Sequence, residues 1–139
     1  MNILAKINYS CRVSSVLNKE VKQYGKQFMF DAQEDTSWSS DEGTPQWIIV
    51  SFDEPQNVSG FEFQFQGGFA GQKSEIIMYA ADGAQLHQDS FYPEDINSPQ
   101  RFQLKDTARE KACSKIKFVF ESSTDLFGRI IVYNLQVFS

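Results

Sequence analysis

Residues 30–52 read FDAQEDTSWSSDEGTPQWIIVSF, and this stretch decides the fold. Asp, Ser, Thr and Gly from Asp31 to Thr36 and from Ser39 to Pro45 form turns, because their side chains bond nearby backbone or relax its dihedrals. Trp38 is therefore a single large anchor between two turns. Gln46 to Phe52 is short, rich in Trp, Ile and Val, and bounded by Pro45 and Pro55, which predicts a mostly buried strand. The block thus reads as loop, anchor, loop, core strand.

Outward from this block the same signals recur. Residues 10–17 predict an opening strand, and a short helical turn is expected at Lys26 to Phe30. After a turn at Pro55 to Asn57, Phe61, Phe63 and Phe65 alternate with Glu62, Gln64 and Gln66, which predicts one apolar and one polar strand face. Further strands are expected over residues 74–80, 85–91, 100–105, 115–121 and 129–138. Asp82-Gly83 is a hairpin signal, and Asp106 to Lys111 suits one helical turn. About eight short strands without a long amphipathic helix predict an all-β fold, an antiparallel jelly-roll sandwich in one domain spanning residues 1–139.

Composition narrows the function. The chain has 139 residues, 13 of them Phe, and a formal net charge of -5. Partners that want a basic footprint, nucleic acid and anionic membrane among them, are therefore not expected. Arg12, Lys19, Lys22 and Lys26 fall in one region, interrupted by Glu20, and read as a solvated surface. No run approaches the roughly 18 apolar residues of a membrane helix, and MNILAKIN lacks the apolar core of a signal peptide. An unsecreted chain, nuclear and cytoplasmic, is expected, with Cys11 and Cys113 as reduced thiols.

Catalytic machinery is hard to assemble from these residues. His87 is the sole histidine, so a Ser-His-Asp or Cys-His arrangement would depend on it, and it falls in the middle of an expected strand. An ordinary four-ligand zinc site lacks ligands. The glycines at 67, 68 and 71 precede a strand, not the helix a phosphate loop requires. A non-enzymatic, monomeric binding protein is the expectation.

Thr36-x-Trp38-x-Ser40-Asp41, Gln46-Trp47-Ile48 and Val50-x-Phe52 resemble the signature of the discoidin family, the coagulation factor V/VIII C-terminal type with a galactose-binding-like jelly roll. The resemblance extends to Ser14-Ser15, Phe61 to Phe65, Asp82-Gly83 and Leu135 to Phe138. Arg12 to Asn18, Phe30-Asp31, Phe65 to Phe69, Phe91 to Asp95 and Asp125 to Arg129 are similar to members of that family that associate with, and repress, an orphan nuclear receptor. Around Thr36 to Asp41 the chain also resembles the Doc subunit of the anaphase-promoting complex.

The resemblance implies contact loops at one end of the sandwich. Carried over by position, they hold Ser39, Ser40, Asp41, Gly68, Phe69, Asp125, Phe127 and Arg129. Phe69 is expected to be the exposed aromatic, Trp38 a plug in the core, and Arg129 a partner for a carboxylate. The implied partner is an orphan nuclear receptor. A discoidin-type carbohydrate-binding module and a Doc-like substrate-recognition subunit in ubiquitin ligation are the alternatives. No cofactor is required, but the resemblance places a structural calcium ion at Asp31, Thr36 and Asn134, the last standing where relatives carry a glutamate.

Overall fold

A computed structural model describes all residues, 1–139. Nine strands form two antiparallel sheets. They are β1 (Tyr9–Val13), β2 (Trp38–Ser39), β3 (Gln46–Asn57), β4 (Gly60–Phe65), β5 (Ser74–Tyr79), β6 (Gln85–Phe91), β7 (Gln100–Gln103), β8 (Ala112–Phe120) and β9 (Ile131–Phe138). One sheet runs β1-β3-β8-β5-β6 and the other β2-β9-β4-β7. Short helices lie at α1 (Val21–Tyr24) and α2 (Asp106–Arg109), with a 3-10 turn at Lys26–Met29. The all-β sandwich expected from the sequence is the fold observed.

The sheets meet through phenylalanine. On β4 the alternation turns Phe61, Phe63 and Phe65 inward, each at most 1% exposed, against Phe118 and Phe120 of β8. Phe63 is edge-on to Phe118 at 5.0 Å and to Phe120 at 5.5 Å, and stacks on Phe65 at 5.3 Å. Such pairs contribute about 0.5–1.5 kcal/mol each beyond their burial. Gly71 packs so close to the Phe120 ring that a β-carbon there would clash.

The outward face of β4 is polar, and its partners are internal. Glu62 pairs with Arg101 at 3.6 Å, Gln64 donates to the Asn97 carbonyl, and Gln66 accepts from the Tyr133 hydroxyl. Both cysteines are buried and unpaired. Burial pushes the Cys11 thiol up to about 12 and the Cys113 thiol up to about 11, so both stay protonated at neutral pH.

Several expected boundaries move. The additional strand is β2, whose two residues pair with Val132 and Ile131, too short to show a period. Pro55 to Asn57 are not a turn but the end of β3, whose register with β8 slips between Ser51 and Gln56. Pro55, which has no N–H to donate, falls in the slipped stretch. β1 stops at Val13 because the return bond fails there: Ser14 still donates its N–H to the Trp47 carbonyl, but the Trp47 N–H goes to the Ser14 hydroxyl, and the Ser15 hydroxyl bonds Gln46 and Asp41. β8 begins at Ala112, earlier than its alternation suggests, and β9 at Ile131, later.

Phe63→Ala should destabilise the protein by about 3–5 kcal/mol, the cost of a large cavity in a packed core. Chemical denaturation measures this. A loss under about 1 kcal/mol would mean that the phenylalanine layer is not close-packed.

Candidate functional site: a braced loop rim

The antiparallel registers bring five chain crossings to one end of the sandwich: residues 14–20, 40–45, 66–73, 92–99 and 121–130. Side chains, more than strand pairing, lock them into a rim. Gln46, only 5% exposed, is the first brace. Its side-chain oxygen accepts from the Ser14 and Ser15 hydroxyls, and its amide nitrogen donates to the Gly43 and Asp41 carbonyls. Ser14 also accepts the Trp47 N–H, and the Ser15 carbonyl accepts the Trp38 indole N–H at 2.9 Å. All four hydrogen-bonding positions of the amide are filled, as burial demands.

A second set of bonds joins the remaining loops. The Gly43 N–H donates to the Phe127 carbonyl at 2.7 Å, and Gly128, at φ +83°, lies against the Gly43 backbone. A β-carbon at Gly128 would be both strained and 2.9 Å from Gly43. Ser40 donates its N–H to the Ile130 carbonyl, and its hydroxyl accepts the Ile130 N–H. Ala70 donates to the Thr124 hydroxyl and accepts the Thr124 N–H. Asp95 closes the ring: one carboxylate oxygen accepts from the Gly68 N–H at 2.7 Å and the Thr124 hydroxyl at 3.2 Å.

The expected contact residues divide against this frame. Ser39 and Ser40 are buried, 4% and 1% exposed, with Ser40 engaged inside the rim. Asp41 is half-buried and accepts the Asn18 N–H. Gly68 is exposed at φ +90°, a conformation that suits glycine. Phe69, expected to be the exposed aromatic, is half-buried: the Arg129 guanidinium lies 5.0 Å from its ring centroid. Trp38 is the fully buried plug that the sequence suggested.

The exposed apolar surface lies on the neighbouring loop. Phe127 is 57% exposed and Leu126 91%. Tyr92 and Ile96, on the loop that Asp95 braces, are also exposed. The sequence analysis does not single out Leu126, Tyr92, Asp95 or Ile96, although the Asp125 to Arg129 stretch holds the first and the Phe91 to Asp95 stretch the next two.

Arg129 finds its carboxylate within the chain. Its Nε donates to Asp125 at 3.0 Å, and its backbone N–H donates to the same carboxylate oxygen. Hydrogen bonding from the Arg129 side chain, with the help of its backbone N–H and charge, lowers the Asp125 carboxyl below the ordinary carboxylate range despite burial acting the other way. The Arg129 guanidinium is raised in return, chiefly by its hydrogen bond to Asp125.

Of the residues expected at a calcium ion, Asp31 and Thr36 are bonded to each other and Asn134 brings no charge. One Asp31 oxygen accepts the Thr36 hydroxyl and the other the Gln33 N–H. Asn134 is a neutral amide lining a shallow cavity with Phe30 and Ala32. No group of three His, Cys, Asp or Glu side chains in the chain is placed to hold a metal ion, while calcium takes six to eight oxygens. His87 stands mid-strand on β6 opposite Met78, with its Nε2 buried and unpartnered.

Asp125→Asn should lower the melting temperature at pH 7 and not at pH values below the folded-state value of the carboxyl. Because folding lowers that carboxyl, the stabilisation is full above its unfolded value and fades as the pH falls through the folded one. Melting curves of both proteins from pH 7 to pH 2 check this. A gap that stays constant with pH would show that charge plays no part.

The sequence profile of the F5/8 type C domain matches residues 12–128. The chain is 49% identical over 126 residues to the Nuclear receptor 2C2-associated protein of Danio rerio, covering 91% of this chain and 87% of that protein. It is 43% identical over 128 residues to the protein of the same name in Homo sapiens, covering 91% and 88%. Among solved structures, chitosan-binding module 1 of a Paenibacillus chitosanase/glucanase superposes with a TM-score of 0.75 at 18% identity, covering 100% of this chain and 99% of that one. A Clostridium perfringens module solved with GalNAc-beta-1,3-galactose superposes with a TM-score of 0.74 at 15% identity, covering 94% and 95%. At such identities the superpositions speak for the fold, and the sequence relatives for the family. The chain belongs to the F5/8 type C, or discoidin, domain family, within the group represented by the nuclear receptor 2C2-associated proteins.

Proposed function

We propose that the chain is a non-enzymatic protein-binding module that associates with an orphan nuclear receptor through its loop rim and represses it. The observation that carries this reading is the exposure of Leu126 and Phe127 on a loop that is otherwise braced at both ends. Large apolar side chains held in place on a rigid backbone lose little freedom on binding and make effective interface anchors. Next to them in the chain, the Arg129–Asp125 ion pair supplies a polar border. The names of the sequence relatives support the choice of partner, and the repressive role rests on the resemblance alone.

The same reading places the protein in the nucleus and cytoplasm as a monomer without a required cofactor. No helix is long and apolar enough to cross a membrane. The sole histidine sits mid-strand, away from the rim, which supports a role without catalysis.

A carbohydrate-binding module is the second reading, favoured by the exposed Phe127 ring beside polar rim groups. It is the weaker one. Sugar sites want a bare aromatic platform, and the Phe69 ring is covered by Arg129, whose own donors are engaged by Asp125.

Binding to the purified DNA-binding and ligand-binding regions of nuclear receptor 2C2, measured by surface plasmon resonance, tests the proposal. Replacing Leu126 and Phe127 together by Ser should weaken binding at least about tenfold, or ~1.4 kcal/mol, without lowering the melting temperature. The affinity should be the same in millimolar calcium and in EDTA. An unchanged affinity for the double variant, or binding to a glycan array and not to either receptor region, would overturn it.

A further inference from the structure

The outer side of the five-stranded sheet is not the polar surface that an uncovered antiparallel sheet normally presents. Strand registers place Arg12, Ile49, Lys117, Ile77 and Gln88 side by side across all five strands. Trp47, Val119 and Glu75 form the row nearer the rim, and Ser51, Lys115 and Tyr79 the row beyond. Their chain neighbours Ile48, Val50, Ile116, Phe118, Ile76 and Met78 are buried, so alternation turns this set outward.

What covers the aromatic members of this face is positive charge. The Lys117 ammonium lies 5.3 Å from the Trp47 ring centroid, the Arg12 guanidinium 6.0 Å from the same ring, and the Lys115 ammonium 4.7 Å from the Tyr79 ring. None of the three has a carboxylate within salt-bridge distance, since the ion pairs of the chain use Lys73, Arg101, Lys105, Arg109 and Arg129. In a chain of net charge -5, unpaired cations gathered over aromatic rings form a local basic island. It continues around the β1 edge, where Arg12 also lines a cavity of about 250 Å³ with Val16, Val21 and Lys26.

We propose that this face is a second docking surface, for an acidic peptide segment of a protein partner that carries apolar side chains between its carboxylates. Trp47, Ile49 and Ile77 take the apolar side chains, and Arg12, Lys115 and Lys117 swing from the rings they cover to meet the carboxylates. Charge complementarity selects this occupant. A second copy meeting the first through the same face would set Arg12, Lys115 and Lys117 against their own equivalents. Nucleic acid has no aliphatic side chains to set against Ile49 and Ile77 between the cations. The surface is separate from the loop rim, so either can fail without the other.

Amide and indole chemical shifts of the 15N-labelled full-length chain test the proposal. The probes are a synthetic ten-residue peptide alternating Glu with Leu and Phe, the same peptide with Lys for Glu, a uridine decamer, and phosphatidylserine vesicles. The acidic peptide should move the Trp47 indole and the amides of Ile49, Ile77 and Lys117, and leave unmoved the buried Trp38 indole. Binding should weaken as salt is added. Lys117→Glu and, separately, Lys115→Glu should each weaken it at least fivefold, with native melting confirmed for each, whereas the Leu126 and Phe127 double variant should bind as the parent does. The proposal is overturned if the acidic peptide does not bind, if it moves residues 125–129 instead, if both charge reversals bind unchanged, or if the lysine peptide, the uridine decamer or the vesicles give the same perturbation.

Discussion

One buried amide organises the functional end of this protein. Gln46 stands where β3 enters the sheet, and its side chain ties the exit of β1 to the loop between β2 and β3 through two hydroxyls and two carbonyls. Ser14 and Ser15 in turn hold the backbone of Trp47 and the indole of Trp38. Each bond is worth only about 1 kcal/mol net. Their weight comes from burial, because removing one member leaves the others desolvated and unpaired.

From that anchor the rim follows. Gly43, fixed by Gln46, receives the backbone of Phe127 and Gly128, and Ser40 receives Ile130. Thr124 passes the constraint to Ala70, and Asp95 carries it to the loop of Tyr92 and Ile96. Leu126 and Phe127 are thus presented by a backbone that has little left to lose on binding. The sheet face built on Trp47 grows from the same strand: its residues alternate between Gln46, Ile48 and Val50 inside and Trp47 and Ile49 outside. A single strand therefore serves the core, the rim and the outer face.

Much of this was legible in the sequence, and the rest fails for identifiable reasons. The alternation of Phe61, Phe63 and Phe65, and of Ile116, Phe118 and Phe120, gave strands because period and burial agree there. The Asp82-Gly83 hairpin and the Trp38 plug were readable from local chemistry. β2 was not, since two residues carry no period. Pro55 looked like a break because the register slip that accommodates it depends on β8, more than fifty residues away. Phe69 is less exposed than expected because exposure is set by what folds over a ring, and Arg129 is far from Phe69 in the chain. The three loops were expected together and are found together. The braces between them, Gln46 and Asp95, are long-range bonds that no local pattern announces.

Amide hydrogen exchange on the free protein tests most directly whether the rim is preorganised. The N–H groups of Gly43, Gly68, Ala70 and Ile130, all in loops or at loop ends and all bonded across the rim, should exchange at least about a hundredfold more slowly than in an unstructured chain, corresponding to ~2.7 kcal/mol of local stability. In Gln46→Ala the protection of Gly43 should fall, while that of the core amides of Phe63 and Phe118 should persist. Exchange of those four amides at unstructured rates in the parent protein would contradict the account, because the exposed Leu126 and Phe127 would then ride on a loose loop.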